Sequence, residues 1–177
     1  MAIPALLQTN NIAKVLDKVH LNYSRLSRDG AIKGLMVVDQ DAKVLAVNRH
    51  FYTKANFWDL GAIGAALYGV SVQGQDFFHA SALERATLIY GDLQVFVHSI
   101  GNVEMEDGKR RELLILVLAD KSINIGLIIL QMRKFSQKIK AIIEDDQNTQ
   151  TTMKMTEQEL KSHIFNLKKQ LFASQMD

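Results

Sequence analysis

The stretch "AIKGLMVVDQDAKVLAV" (31–47) holds two apolar runs joined by a short polar turn. The runs predict two β-strands, and the polar turn at 39–41 predicts that they pair as a hairpin. Upstream, residues 10–28 carry apolar side chains at spacings of three and four, with polar residues at 9–11 available as caps, which predicts an amphipathic helix. The first part of the chain therefore has the order α-β-β.

The segments after the hairpin continue this alternation. "FWDLGAIGAALYGVSVQGQDFF" (57–78) has helical apolar spacing and is rich in small residues, and 85–100 predicts two strands around a Gly-Asp turn. "LLILVLA" (113–119) is a continuous apolar run, typical of a central strand that is buried on both faces. Residues 121–143 predict a second amphipathic helix. The predicted order is α-β-β-α-β-β-β-α.

The chain beyond this core predicts an extension. We divide it into an N-terminal segment (1–9), a domain (10–143), a polar linker (144–155) and a terminal amphipathic helix (156–177). Thr156 and Glu159 form a capping box at the start of that helix. Its apolar residues share one seam at coiled-coil spacing: Leu160, Ile164, Leu167 and Leu171.

Composition narrows the function classes. The net charge of +2 disfavours an electrostatically driven nucleic-acid binder. The absence of cysteine excludes disulfides, thiolate nucleophiles and cysteine-based zinc sites. The N-terminus lacks the pattern of a signal peptide and no apolar run is long enough for a membrane span, so we expect a cytoplasmic protein. No catalytic constellation or metal-ligand spacing is present, so we expect neither an enzyme nor a bound metal or cofactor.

A phosphate-binding loop is one interpretation of "GAALYGVS" (64–71), whose glycines have the spacing of that motif. Val70 stands where the motif needs a lysine to reach the phosphates, and the residues before Gly64 do not predict a strand. Because both requirements fail, a packing role for the glycines is favoured.

The chain resembles the Roadblock/dynein light chain family, whose fold is longin-like. The resemblance is carried by "GLMVVDQDAKVLAV" (34–47), by "GAIGAALYG" (61–69) and by "LVLADKSINIGLIILQMRKF" (116–135), where the last strand meets the last helix. It implies an α/β domain with a five-stranded, mainly antiparallel sheet and helices on both faces. One departure is Ala42, which stands where the family usually carries glycine in the hairpin turn.

The resemblance also implies a homodimer in which the helix after the hairpin packs against its copy. The residues expected at that interface are Gly61, Ala65, Tyr68, Gly69 and Val72. Small residues every four positions allow two backbones to approach, which compensates for the roughly 1 kcal/mol that each glycine costs a helix. A contact between this helix and the sheet of its own chain is the alternative.

The implied function is that of a homodimeric regulator or adaptor of a Ras-like small GTPase, since some family members are GTPase-activating partners. The residues expected to meet a partner are Phe57, Trp58, Gln73 and Phe77, although the first two could instead fasten the helix start to the sheet. If hydrolysis is activated by an arginine supplied in trans, the candidates are Arg49, Arg85, Arg110 and Arg111. A structural scaffold and, less favoured, a small-molecule sensor are the alternatives.

Overall fold

The computed structural model describes residues 3–52, 54–105, 108–155, 158–163 and 165–166. In chain order the elements are α1 (Ala5–Thr9), α2 (Asn11–Leu26), β1 (Ile32–Asp39), β2 (Val44–Val47), α3 (Phe57–Phe78), β3 (Arg85–Tyr90), β4 (Leu93–Glu104), β5 (Arg110–Asp120), α4 (Ile125–Asp145) and α5 (Gln147–Lys154). Helical residues 158–163 and 165–166 follow, which we call the tail helix. The predicted order is confirmed, with short α1 and α5 added outside it.

The five strands form one antiparallel sheet in the order β2-β1-β5-β4-β3. β5 lies at the centre, and its run Leu113–Ala119 is at most 5% exposed, as the apolar run predicted. Helices α2 and α4 cover one face and α3 covers the other, so the sheet separates two apolar cores. The α+β architecture with helices on both faces is therefore confirmed.

The hairpin turn places alanine in a glycine conformation. Ala42 has φ +65°, the left-handed region that a side chain disfavours. The Asp39 carboxylate holds the turn, because one of its oxygens accepts the backbone N–H groups of Asp41 and Lys43, each at 2.9 Å. The alanine that departs from the family pattern thus adopts a left-handed conformation at some conformational cost.

The polar stretch 144–155, predicted as a linker, is largely helical. α4 runs on to Asp145 and α5 follows from Gln147, with Asp146 as its N-cap. Thr149, Gln150 and Met153 of α5 are buried against the body of the protein. The helix was not predicted because the stretch lacks an apolar period, and its polar side chains form hydrogen bonds within the segment, such as Gln150 to the Glu144 carbonyl at 3.1 Å. The division of the chain into domains stays a prediction.

Among the described residues, none of the helices combines the length and apolar character that crossing a bilayer requires.

Candidate interaction surface

α3 is apolar around its whole circumference, which is unusual for a helix with one solvent side. Asn56 begins it, since its side chain accepts the Trp58 backbone N–H at 3.1 Å. His79 ends it in the left-handed conformation, with φ 48°. Because α3 is apolar on all sides, the side that packs on the sheet is buried and the opposite side leaves apolar residues in solvent.

The inner side of α3 lies very close to the sheet. A Cβ atom at Gly61 would lie 3.4 Å from side-chain atoms of Met36, Val38 and Val44. At Gly64 it would lie 2.2 Å from a methyl group of Leu116 on the central strand. Because both residues are glycines, side chains of the strands occupy the space that a Cβ atom would fill.

This geometry corrects the predicted dimer contacts. Gly61, Ala65 and Tyr68 lie against the sheet of their own chain, so they cannot form a helix–helix interface. The alternative interpretation, an intramolecular helix–sheet contact, is right for these three residues. Gly69 is exposed, with no atom within 4 Å of its Cβ position, and Val72 is half-buried. The phosphate-loop interpretation is also wrong. Gly64 lies inside helix α3, not in a loop, and the Leu116 side chain occupies the space next to it.

The outer side of α3 carries a second stripe of small and apolar residues. Ile63 is 46% exposed, Val70 69% and Phe77 84%. The exposed members of this side are Ala62, Ile63, Ala66, Gly69, Val70, Gln73 and Phe77. Gln73 and Phe77, two of the predicted partner contacts, are thus placed in solvent on one helix side.

The strand β3 extends this apolar region. β3 lies at one edge of the sheet and pairs only with β4 among the strands described. Tyr90 at its end is 55% exposed and lies on the same face of the sheet as Leu88 and α3, whereas Ile89, 60% exposed, lies on the opposite face. The opposite edge strand, β2, is flanked by α1 and α5 of the same chain. We call the outer side of α3, as defined above, together with β3 the α3/β3 surface.

A polar cluster fixes α3 relative to the neighbouring strands. The Tyr68 hydroxyl lies 2.7 Å from a Glu112 carboxylate oxygen and 3.0 Å from the Leu83 carbonyl oxygen. The Ser99 hydroxyl donates to the same Glu112 oxygen at 2.7 Å. Burial, together with the hydrogen bond to Glu112, raises the pKa of Tyr68 to about 12. The phenol stays protonated at neutral pH, so it can donate a hydrogen bond that connects α3 to the neighbouring residues.

The other predicted contact residues are distributed over three environments. Phe57 is 1% exposed in the core beneath α3, so it is not available to a partner. Trp58 is half-buried, its ring centroid 4.6 Å from that of Phe57. Leu160, the first residue of the predicted tail seam, is buried against this chain. Ile164, Leu167 and Leu171 lie outside the described residues.

Two of the four candidate arginines are engaged in ion pairs. Arg111 binds the carboxylates of Asp39 and Asp41 across the hairpin turn. Arg49 lies 3.3 Å from the Asp17 carboxylate. The other two candidates, Arg85 and Arg110, are exposed on strands β3 and β5.

The described residues contain no group of three or more histidine and acidic side chains placed to hold a metal ion. The histidine rings of His20 and His50 do lie together, with centroids 5.2 Å apart. Burial, followed by the charge of His50, lowers the pKa of His20. The neutral His20 ring packs beside Asn48, and the side-chain amide nitrogen of Asn48 lies 3.3 Å from Nδ1 of His20.

Comparison with solved structures defines the class of fold. Myxococcus xanthus MglB superposes with a TM-score of 0.59 at 12% identity, over 78% of this chain and 99% of that chain. A Roadblock/LC7 domain from Streptomyces avermitilis gives a TM-score of 0.56 at 13% identity, over 72% and 97%. The fold is therefore the Roadblock, longin-like fold.

Sequence comparison gives the family. The chain is 31% identical over 131 residues to the uncharacterized protein MJ0714 of Methanocaldococcus jannaschii, covering 74% of this chain and 98% of the relative. MJ1340 of the same organism is 31% identical over 128 residues, covering 72% and 99%. The chain belongs to the family of these archaeal proteins. No family model matches it.

Proposed function

We propose that this protein is a homodimeric adaptor or regulator of a Ras-like small GTPase, and that the α3/β3 surface joins the two copies. One observation carries the dimer: the exposed and mostly apolar outer side of α3 adjoins β3, an edge strand that pairs only with β4 among the described strands. Large contiguous apolar patches on a soluble protein mark interaction sites, and open strand edges are templates for pairing. The other sheet edge is flanked by helices of the same chain, which leaves β3 as the edge for a second copy.

The shape of α3 suits a twofold contact. A helix of 22 residues is about 33 Å long, enough for extended contact with its own copy. Ala62, Ala66 and Gly69 give its outer side little height, so two helices can approach closely while Val70 fills the space beside them. In an isologous contact both copies contribute the same surface, so every apolar side chain is buried twice, once in each copy. Pairing of the two β3 edges would continue the sheet into the second copy.

The GTPase partner rests on the family resemblance. The resemblance implies this partner, since Roadblock proteins of bacteria and archaea often pair with Ras-like GTPases. MglB, whose fold this chain shares, is described as a gliding protein in Thermus thermophilus. We propose that this protein acts through binding, without a catalytic centre of its own. Activation of hydrolysis would then come from positioning the GTPase's own groups, or from one of the exposed arginines Arg85 and Arg110.

Nucleotide-dependent capture tests this function. The full chain is immobilised and exposed to native lysate with a non-hydrolysable GTP analogue or with GDP, and retained small GTPases are identified by mass spectrometry. Retention that depends on the GTP analogue is the expected result, and turnover with and without the protein then measures activation. If capture is equal in both nucleotide states and GTP turnover is unchanged, the protein is a structural scaffold and not a regulator.

A further inference from the structure

The tail helix is docked on an apolar site at the start of α3. Leu160 is 1% exposed and belongs to the same apolar cluster as Leu7 and Phe57. Trp58 and Met155 pack at the margin of that cluster. The residue after the leucine, Lys161, places its ammonium 5.4 Å from the centroid of the Trp58 ring, within cation–π range. Two consecutive residues, an apolar anchor and a cation, therefore make the docking contacts.

The segment just before the tail helix is attached in a different way. Met153 of α5 is fully buried in the core between the sheet and helices α2 and α4. The buried ammonium of Lys43 donates to the Met153 carbonyl oxygen and lies 3.9 Å from the Asp39 carboxylate. Met155 then has an extended backbone, with φ −70° and ψ 149°. Met153 and Leu160 therefore lie in the two different cores, on opposite faces of the sheet.

The described part of the tail helix buries fewer side chains than α5 does. Leu160 is its one buried side chain among the residues described, and Phe165 on the same helix is 69% exposed. A cavity of about 430 Å³ remains between α1, α5 and this helix, lined by Leu7, Leu45 and Leu160 among others.

We propose that the start of α3 is a docking site for an amphipathic helix that presents an apolar residue followed by a cation, and that the tail helix is its resident, displaceable occupant. When the tail helix leaves, the apolar surface around Leu7, Trp58 and Met155 opens to a partner helix of the same pattern. α5 stays in place, because Met153 and Lys43 anchor it. This site lies by the β2 edge, so it is separate from the α3/β3 surface and does not depend on the proposed dimer.

Trp58 reports on the site directly, since it is the sole tryptophan of the chain. Acrylamide quenching of its fluorescence is measured in the full chain, in Leu160→Asp and in the matched control Phe165→Asp, which adds the same charge to the same helix at an exposed position. Leu160→Asp is expected to raise the quenching constant at least about twofold and to shift the emission to longer wavelength, because an aspartate cannot replace a buried leucine. Phe165→Asp is expected to match the unmodified chain.

A synthetic peptide of residues 156–177 then tests the docking site in trans. Added to Leu160→Asp, the peptide is expected to restore protection of Trp58 in a saturable way, whereas the same peptide carrying the Leu160→Asp change is expected to have no effect. Unchanged quenching in Leu160→Asp, or no protection by the unmodified peptide, would overturn the proposal. Loss of the sheet's circular dichroism signal in Leu160→Asp would also overturn it, because the tail helix would then be part of the core.

Discussion

Alanine substitutions at two glycines of α3 should have opposite effects on stability. At Gly64 the new methyl group would lie 2.2 Å from one Leu116 methyl carbon and 2.8 Å from its Cγ, far inside contact distance. Leu116 is fully buried on the central strand, so it has little room to move. At Gly69 the same methyl group has no described atom within 4 Å apart from the adjacent residues and the backbone of its own helix. The pair therefore compares one substitution on the two sides of one helix.

The magnitudes follow from two terms. Replacing glycine by alanine inside a helix stabilises it by roughly 1 kcal/mol at either position. Inserting a methyl group into a packed core costs about 1–3 kcal/mol, which applies at Gly64 alone. Gly69→Ala should therefore raise the free energy of unfolding by about 1 kcal/mol, and Gly64→Ala should lower it by up to about 2 kcal/mol. The difference between the variants removes the shared helix term and equals the packing cost.

Urea unfolding followed by circular dichroism at 222 nm measures this difference. The glycine substitutions are all made in Val70→Asp, which is expected to be a single chain, because Gly69 lies on the α3/β3 surface and association would add to apparent stability. Gly74→Ala is a second control, since its methyl group would have its nearest atom at 3.6 Å, an ordinary contact. Equal effects of Gly64→Ala and Gly69→Ala, or a larger loss at Gly69, would refute the assignment of the inner side of α3.

Three further substitutions test the hairpin, the polar cluster and the attachment of α5. Ala42→Gly should raise the free energy of unfolding by about 0.5–1 kcal/mol in urea, because φ +65° is strained for alanine. Tyr68 has a pKa raised to about 12, so the folded state holds the phenol proton more tightly than the unfolded chain does. Stability should then fall as the pH rises from about 10 through 12, and Tyr68→Phe should show a shallower fall in the same titration. Lys43→Met leaves the buried Asp39 carboxylate without one of its two cationic partners, and should lower the free energy of unfolding by about 3 kcal/mol, with faster hydrogen exchange in α5. A Lys43→Met protein with unchanged stability would show that the buried ammonium is dispensable.

The elements of the domain were largely predictable because their signals are local. The bounds of α3 and the central burial of 113–119 follow from apolar runs and caps that neighbouring residues supply. The order of the strands could not be worked out in this way, since pairing joins residues far apart in the chain. The resemblance to the Roadblock family gave the five-stranded, mainly antiparallel sheet with helices on both faces, which the structure confirms, but it did not give the order of the strands.

The side of α3 that meets the sheet could not be predicted from spacing. Small and apolar residues occur on every side of this helix. From sequence, a stripe such as Gly61 and Ala65 is therefore equally compatible with packing against the sheet and with packing against a second copy. The distinction depends on what lies opposite, here Met36 and Leu116 on the strands. The docking of α5 was missed for a related reason, because its attachment uses the buried ammonium of Lys43, and a lysine in sequence ordinarily indicates solvent.

The mass of the full chain in solution tests the α3/β3 surface most directly. Light scattering at tens of micromolar should give twice the 19.9 kDa mass of one chain. Val70→Asp should give the single-chain mass, because a twofold contact would bury the new carboxylate in both copies. Leu130→Asp is the matched control, on α4 at the other face of the sheet and 62% exposed against 69% for Val70, and should stay dimeric. A single-chain mass for the unmodified protein, or a dimer that survives Val70→Asp, would contradict the account.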